Sequence, residues 1–136
     1  MLRIVIAEPD EALSQWLADA IAPAQGFEVV GTAPDGETAI DVVRRTRPDV
    51  VLVDADIEMP PQGGLTLVAA VVDAIPEALV VVLAADALEE TAQAALAAGA
   101  TGVLAKDGSA QIPADLNWPD LSKNPEPSTS PRKTAS

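Results

Sequence analysis

Acidic residues and one lysine follow the apolar runs of this chain at the points where strands are expected to end. Three of the runs are followed by Glu8 and Asp10, by Asp54 and Asp56, and by Lys106. In a fold that alternates strands and helices, the carboxyl ends of parallel strands meet at one edge of the sheet, and ligands bind there. The pattern therefore predicts a site for a divalent cation and a phosphoryl group at this edge.

Apolar runs alternate with segments of helical periodicity along most of the chain. The runs predict five strands, at residues 3–7, 27–33, 50–54, 79–84 and 103–105. The third run is continuously apolar, which is typical of a central strand covered on both faces. Helical spacing between the runs predicts four helices. Five strands alternating with four helices predict an α/β sandwich with right-handed crossovers.

Some residues within these helices and turns have expected local roles. Asp10 is expected to be the N-cap of the first helix, and Asp86 is expected to be an N-cap or turn residue rather than a ligand. Gly99 is placed to end the fourth helix. The third helix is indicated by a set of apolar residues at helical spacing, namely Leu65, Val68, Ala69 and Val72.

Charge and composition exclude several classes of function. The net charge is −13, and residues 1–107 hold 18 of the 21 acidic residues but only 5 of the 8 basic ones. Such a surface repels nucleic-acid phosphates and anionic lipid, so we expect no direct binding of nucleic acid and no membrane association. The absence of Cys and His excludes disulfides and disfavours zinc, which leaves hard oxygen ligands and Mg²⁺. The first apolar run is too short for a signal peptide, so a cytoplasmic location is expected.

The domain organisation follows from a change in composition after residue 107. Residues 1–107 are expected to form one domain. Residues 108–136 hold 5 of the 12 prolines, and residues 122–136 are expected to be a disordered tail. Between them, residues 108–121 are expected either to pack on the domain as an irregular strap or to be loose. The strap would use four apolar residues, which are Ile112, Leu116, Trp118 and Leu121.

The chain resembles the receiver domains of bacterial two-component response regulators. The resemblance is carried in the expected order by residues 4–8, 28–31, 35–39, 47–54, 59–60 and 97–102. It implies a flavodoxin-like, CheY-like three-layer sandwich whose parallel five-stranded sheet has the order 2-1-3-4-5. It also implies that an aspartate at the end of the third strand accepts a phosphoryl group from a histidine kinase or phosphotransfer protein, and that a downstream protein partner responds.

The resemblance implies roles for the residues at the carboxyl edge. Mg²⁺ would be held by Glu8 and the acceptor Asp54, with Asp10 and Asp56 as further candidates, and Lys106 would pair with the phosphoryl oxygens. Plainer roles remain open, because Glu8 and Asp10 could be acidic residues at a helix N-terminus and Lys106 could be an ordinary surface lysine.

Two aspartates compete for the role of acceptor. Counting forward from Glu8 favours Asp54, whereas counting back from Met59 and Pro60 favours Asp56. If Asp56 ended the strand, Asp54 would point the same way two residues deeper, and a buried unpaired carboxylate costs several kcal/mol. If Asp54 ends the strand, two extra residues only lengthen a loop, at a cost on the order of tenths of a kcal/mol. Asp54 is therefore the first choice and Asp56 the second.

The chain departs from the family pattern at several positions. Pro9 replaces the second residue of the acidic pair, so Mg²⁺ binding is expected to be weak. Ala84 occupies the position of the hydroxyl that reports phosphorylation, and Val103 that of an aromatic residue, so switching is expected to be impaired. Pro113 and Pro119 exclude the usual fifth helix. The sheet face that this helix would cover must be filled by the strap or by a partner subunit, which makes a homodimer a further expectation.

Three functions remain in view. The first is a phosphoacceptor in phosphorelay signal transduction, and the second is a phosphorylation-independent pseudo-receiver that binds proteins. The third, and the most remote, is a haloacid dehalogenase-like phosphatase with Asp54 as nucleophile and Asp56 as general acid. That enzyme family needs its aspartate pair on the first strand and a further acidic site downstream, so we expect the chain not to be an enzyme.

Overall fold

The computed structural model describes residues 2–21, 26–105 and, through their backbone alone, 110–111. Strands and helices alternate along the chain. Their bounds are β1 (Leu2–Ala7), α1 (Glu11–Ile21), β2 (Phe27–Ala33), α2 (Gly36–Thr46), β3 (Val50–Asp54), α3 (Gly64–Ala74), β4 (Leu79–Ala84), α4 (Glu89–Ala98), β5 (Gly102–Ala105) and β6 (Ala110–Gln111).

The strands form one sheet with the order β2-β1-β3-β4-β5-β6. The first five strands are parallel, which confirms the predicted order 2-1-3-4-5. The two-residue strand β6 pairs with β5 in the antiparallel sense and extends the sheet by one strand at this edge. It was not predicted, because Ala110 and Gln111 lack the apolar or β-branched character of a strand.

Helices cover the two faces of the sheet unequally. The helices α2, α3 and α4 pack on one face and enclose the larger core cluster. On the other face, α1 packs its buried side chains, Leu13, Leu17 and Ile21, on β1, β2 and β3. The central strand β3 is buried along its whole length, as its continuous apolar run predicted.

Strands β4 and β5 are also buried on the sheet face that carries α1. Among the described residues, α1 is the only helix on this face, and it packs on β1, β2 and β3. Val81 is 0% exposed, Leu83 2% and Leu104 1%, all within a single chain. These three side chains therefore do not need a second subunit to bury them, and the homodimer stays a prediction. The strap residues proposed to fill it, within 112–121, and the tail of residues 122–136 lie outside the described residues.

Helix α3 lies where it was predicted, but its buried face differs from the predicted apolar set. Leu67, Val68 and Val71 are buried, whereas Ala69 is exposed. The helix is apolar on nearly every side, so its sequence carries little contrast from which the inward face could be predicted.

Several helix ends follow local rules. Asp35 caps α2 by accepting a hydrogen bond of 2.8 Å from the backbone N–H of Thr38. Gly99 ends α4 in the left-handed conformation, as predicted. At the end of α2 that conformation is adopted by Arg47, with φ 47°. In the described part of the chain, no helix has the length and apolar character needed to cross a bilayer.

Candidate phosphoacceptor site

Asp54 is the last residue of β3 and lies at the carboxyl edge of the sheet, between β1 and β4. The residue is buried, and its Oδ1 accepts a hydrogen bond of 2.7 Å from the backbone N–H of Asp56. The backbone carbonyl of Asp54 accepts a further hydrogen bond of 3.2 Å from the N–H of Ile57. The chain therefore turns directly after Asp54, and the carboxylate lies at the start of the β3–α3 loop.

Glu8 follows β1 and reaches the same edge. Ala7 pairs with Val53 in the parallel ladder between β1 and β3, so Glu8 and Asp54 each follow a member of that pair. Glu8 is buried, and its Oε2 accepts a hydrogen bond of 2.8 Å from the backbone N–H of Asp10. The structure thus brings the first two predicted site residues to the ends of neighbouring strands.

The two further metal candidates lie in different surroundings. Asp10 caps α1, as predicted, because its Oδ1 accepts a hydrogen bond of 3.1 Å from the backbone N–H of Leu13. Asp56 is exposed in the β3–α3 loop. Within residues 2–21 and 26–105, no three acidic side chains are grouped so that they could hold a metal ion together.

The donor set nevertheless fits a magnesium ion held by few protein ligands. Mg²⁺ keeps several water ligands and commonly takes one or two carboxylates together with phosphate oxygens. Glu8 and Asp54 supply two carboxylates at one edge of the sheet. Pro9 has no side-chain ligand to add, so water and phosphoryl oxygens would have to complete the coordination.

The end of β4 carries no hydroxyl. Ala84 is buried and pairs with Ala105, the last residue of β5. Lys106, the predicted phosphate-binding residue, comes directly after Ala105 in the sequence but lies outside the described residues. Its predicted proximity to Asp54 therefore stays a prediction.

The loop between β4 and α4 is held by Asp86. Its Oδ1 accepts hydrogen bonds from the backbone N–H of Leu88 at 3.1 Å and from Oγ1 of Thr91 at 2.7 Å. This confirms Asp86 as a turn residue. The two hydrogen bonds join the loop that follows Ala84 to the first turn of α4.

Two glycines that the sequence motifs did not single out shape the loop beyond Asp54. Gly63 adopts φ 60° and ψ −124° directly before α3, a conformation that favours glycine. Gly64 begins α3, and its N–H donates to the carbonyl of Ala55 at 3.0 Å. A pair of glycines at the start of a helix, Gly63 and Gly64, is the signal in the sequence that could have identified this close approach.

Comparison with known proteins identifies a family. A family model described as the response regulator receiver domain matches residues 4–115. Protein-glutamate methylesterase/protein-glutamine glutaminase 2 of Anaeromyxobacter dehalogenans is 34% identical over 105 residues, which are 77% of this chain and 30% of that protein. The chain therefore spans less than a third of the length of this curated relative.

Solved structures show the same fold. The signal receiver domain of NarL from Mycobacterium tuberculosis has a TM-score of 0.68 and 28% identity, covering 79% of this chain and 86% of that one. The CheX-CheY complex of Borrelia burgdorferi, solved with BeF₃ and Mg²⁺, has a TM-score of 0.66 and 24% identity, covering 76% and 77%. At that identity the second comparison supports the fold alone.

Proposed function

Because this chain belongs to the response regulator receiver family, we propose that it works in phosphorelay signal transduction and accepts a phosphoryl group on Asp54. The donor is a histidine kinase or a phosphotransfer protein, and a downstream protein partner responds to the phosphorylated state. The observation that carries the proposal is the position of Asp54, which ends the buried central strand beside Glu8. A cytoplasmic location is part of the proposal.

The geometry of the β3–α3 loop supports Asp54 over Asp56 as the acceptor. Asp54 ends the strand, and its carboxylate is fixed by the N–H of Asp56. The Asp56 side chain is exposed and lies beyond the turn. The two residues that this chain has in addition to the family pattern before Met59 therefore lengthen the loop rather than the strand.

Phosphoryl transfer requires little covalent chemistry from the protein beyond the Asp54 carboxylate. A carboxylate oxygen of Asp54 forms a bond to phosphorus while the bond between phosphorus and the donor's imidazole nitrogen breaks, which yields an acyl phosphate and a free imidazole. The buried position of Asp54 limits screening by water, so opposite charges placed nearby act strongly on the transferring group. Lys106 is proposed to supply one such charge.

Mg²⁺ is the proposed cofactor, as is typical of receiver domains. Glu8 and Asp54 would hold it, and when bound it neutralises charge on the phosphoryl oxygens. Its affinity is expected to be low, because Pro9 provides no carboxylate and affinity for hard cations follows the charge of the ligands. Asp10 and Asp56 are less suited, since the first caps a helix and the second is exposed.

Impaired switching is the second part of the proposal. A switch needs a contact that differs in energy between two states. Ala84 has no hydroxyl that could bind a phosphoryl oxygen, and the loop after it is already held by the hydrogen bonds of Asp86. Phosphorylation of Asp54 is therefore expected to change the β4–α4 loop only slightly.

The missing hydroxyl at Ala84 also favours one alternative function. In this alternative the chain is a pseudo-receiver, which binds its partner in a constant shape without phosphorylation. The haloacid dehalogenase-like phosphatase is not favoured, because Asp54 ends the third strand rather than the first and the family match is to receivers. The methylesterase activity named for the curated relative is not extended to this chain, which matches only 30% of that protein.

Treatment with a small phosphodonor and Mg²⁺, followed by intact mass measurement, tests the proposal. The unmodified chain should gain the mass of one phosphoryl group. Asp54→Asn should abolish the gain, whereas the matched variant Asp56→Asn should retain it. A gain that survives Asp54→Asn but not Asp56→Asn would reverse the assignment of the acceptor. No gain in the unmodified chain, with a related receiver phosphorylated in parallel, would favour the pseudo-receiver.

A further inference from the structure

A groove on the surface runs between α2, the β3–α3 loop and α3. Two adjoining cavities, of about 560 and 680 Å³, form it and share Glu37, Thr38 and Met59 as lining residues. Neither Glu8 nor Asp54 lines it, so the groove is separate from the candidate phosphoacceptor site.

The walls of the groove are strongly acidic. The lining residues include four carboxylates, those of Asp35, Glu37, Asp41 and Glu58, and the guanidinium of Arg44. Asp41 also forms an exposed ion pair of 3.9 Å with Arg45, which leaves Asp35, Glu37 and Glu58 as the main source of negative charge. Hydrogen bonds from Thr38, chiefly from its backbone N–H, lower the pKa of the Asp35 carboxyl, which keeps this group ionised. The groove therefore presents an excess of negative charge at neutral pH.

The floor of the groove is apolar. Met59 extends along both cavities, and Ile40 of α2 and Ala70 of α3 lie beside it in the first. All three are partly buried and so remain partly accessible. Methionine has a flexible, polarizable side chain that adapts to different apolar partners, as it does at surfaces that bind peptides.

The loop that carries Met59 is fixed in place by backbone hydrogen bonds. The N–H of Gly36 donates to the carbonyl of Glu58 at 2.9 Å, and the N–H of Gly63 donates to the carbonyl of Met59 at 2.7 Å. Met59 also packs against Gly36, where a Cβ would fall 2.7 Å from its Cγ. The groove is thus formed before a ligand arrives, which lowers the entropy cost of binding.

We propose that this groove binds a cationic peptide segment of a partner protein, in which Lys or Arg residues flank one long apolar side chain. The apolar side chain would lie on Met59 and Ile40, and the cationic groups would face Glu37 and Glu58. Charge complementarity of this kind speeds association and fixes the orientation of the segment.

Two other occupants fit the groove less well. A second copy of this chain carries the same net charge of −13, so the two copies repel each other. The chain's own tail, residues 122–136, has the basic residues Lys123, Arg132 and Lys133 but no apolar side chain larger than alanine or proline to place on the floor.

Titration of the full chain with a short synthetic peptide tests the proposal. The peptide carries Lys-Arg pairs on both sides of a central Leu, and binding is followed by NMR of the Met59 and Ile40 methyl groups. Glu37→Lys and Glu58→Lys should each weaken binding by about tenfold. Glu77→Lys is the matched control, because it makes the same change in net charge at an exposed residue before β4, at the opposite edge of the sheet. It should change the affinity little.

Several results would overturn the proposal. Equal weakening by Glu77→Lys, or methyl shifts that avoid Met59 and Ile40, would show non-specific attraction to an acidic surface. If a peptide with Ser in place of the central Leu bound equally well, the apolar floor would have no role in binding. Tighter binding of a peptide of residues 122–136, or dimerisation that Glu37→Lys abolishes, would assign the groove to the chain itself. Support requires the Leu-dependent shifts and both groove variants to agree.

Discussion

Gly64 lies directly against the backbone of Asp54. A Cβ at residue 64 would fall 2.7 Å from the carbonyl oxygen of Asp54 and 2.7 Å from the Cα of Ala55. Distances this short to backbone atoms cannot be relieved by rotating a side chain. The first turn of α3 thus touches the end of the acceptor strand, and this approach requires a residue without a side chain.

Gly64→Ala is expected to destabilise the fold by about 1–3 kcal/mol, because the added methyl group must displace the backbone at Asp54. It should also reduce the extent of phosphorylation by a small phosphodonor. Urea unfolding and intact mass measurement check the two effects. Gly31→Ala is the comparison, since its added Cβ would fall 2.6 Å from a side-chain methyl of the buried Val42 and, among the described residues other than its chain neighbours, meets no backbone atom within 4 Å. It can therefore destabilise the fold as well, but it should not reduce phosphorylation, and an equal loss of phosphorylation in the two variants would contradict the role given to Gly64.

Arg47→Gly is expected to stabilise the fold by about 1 kcal/mol. Arg47 holds the left-handed conformation at the end of α2, and this conformation costs a residue with a Cβ roughly 1–2 kcal/mol. Glycine avoids that cost, but its greater flexibility in the unfolded chain reduces the net gain. Arg45→Gly, two residues earlier and inside the helix, should instead destabilise by about 1 kcal/mol. Urea unfolding measures both. A loss of stability in Arg47→Gly would show that its side chain contributes more than the strain costs.

Asp35→Asn is expected to remove one component of the pH dependence of stability. The hydrogen bond from the N–H of Thr38 lowers the pKa of Asp35 in the folded state. The ionised carboxylate therefore adds stability above its ordinary pKa, and this contribution is lost as the pH falls through the lower pKa of the folded state. Asn still caps the helix. The difference in thermal midpoint between the two proteins should shrink as the solution is made acidic, and a constant difference would contradict this.

The strands and the main site residues could be predicted from the sequence, because both follow from local pattern. The bounds of β2, β3 and β4 agree with the prediction, because turn residues or a charge mark both ends of each run. Glu8 and Asp54 come together because they follow two such runs. This needs only the parallel order of β1 and β3.

What could not be predicted depends on partners distant in sequence. The packing of Met59 on Gly36 joins two loops that no local pattern relates. The inward face of α3 is set by the position of the sheet, since the helix is apolar on most sides. The left-handed Arg47 follows from the turn into β3, and its side chain gives no sign of that conformation.

Ala84→Thr is expected to strengthen the response to phosphorylation, because it places a hydroxyl at the end of β4 beside the acceptor strand. Hydrogen exchange of the β4–α4 loop, with and without phosphodonor, should differ more in this variant than in the unmodified chain. Ala85→Thr, which adds the same group at the next and exposed residue, is the control. An equal response in both variants, or in neither, would contradict the role assigned to position 84.

Removal of residues after Gln111 is expected to destabilise the fold. Val81, Leu83 and Leu104 are buried on a sheet face where α1 is the only helix in the described part of the chain. We therefore expect residues 112–121, with Trp118 as the largest of their apolar side chains, to provide the cover. Exposing three such side chains costs roughly 1.5–3 kcal/mol each, less whatever the shortened chain recovers by relaxing.

Two truncated chains separate this role from that of the tail. A chain ending at Leu121 should unfold in urea at the same midpoint as the full chain and remain a monomer by light scattering. A chain ending at Gln111 should unfold at a clearly lower midpoint or associate through the exposed face, because an apolar patch of several hundred Å² favours contact with another surface. If the shorter chain were equally stable and monomeric, residues 112–121 would not be the cover, and the burial of Val81, Leu83 and Leu104 would need another source.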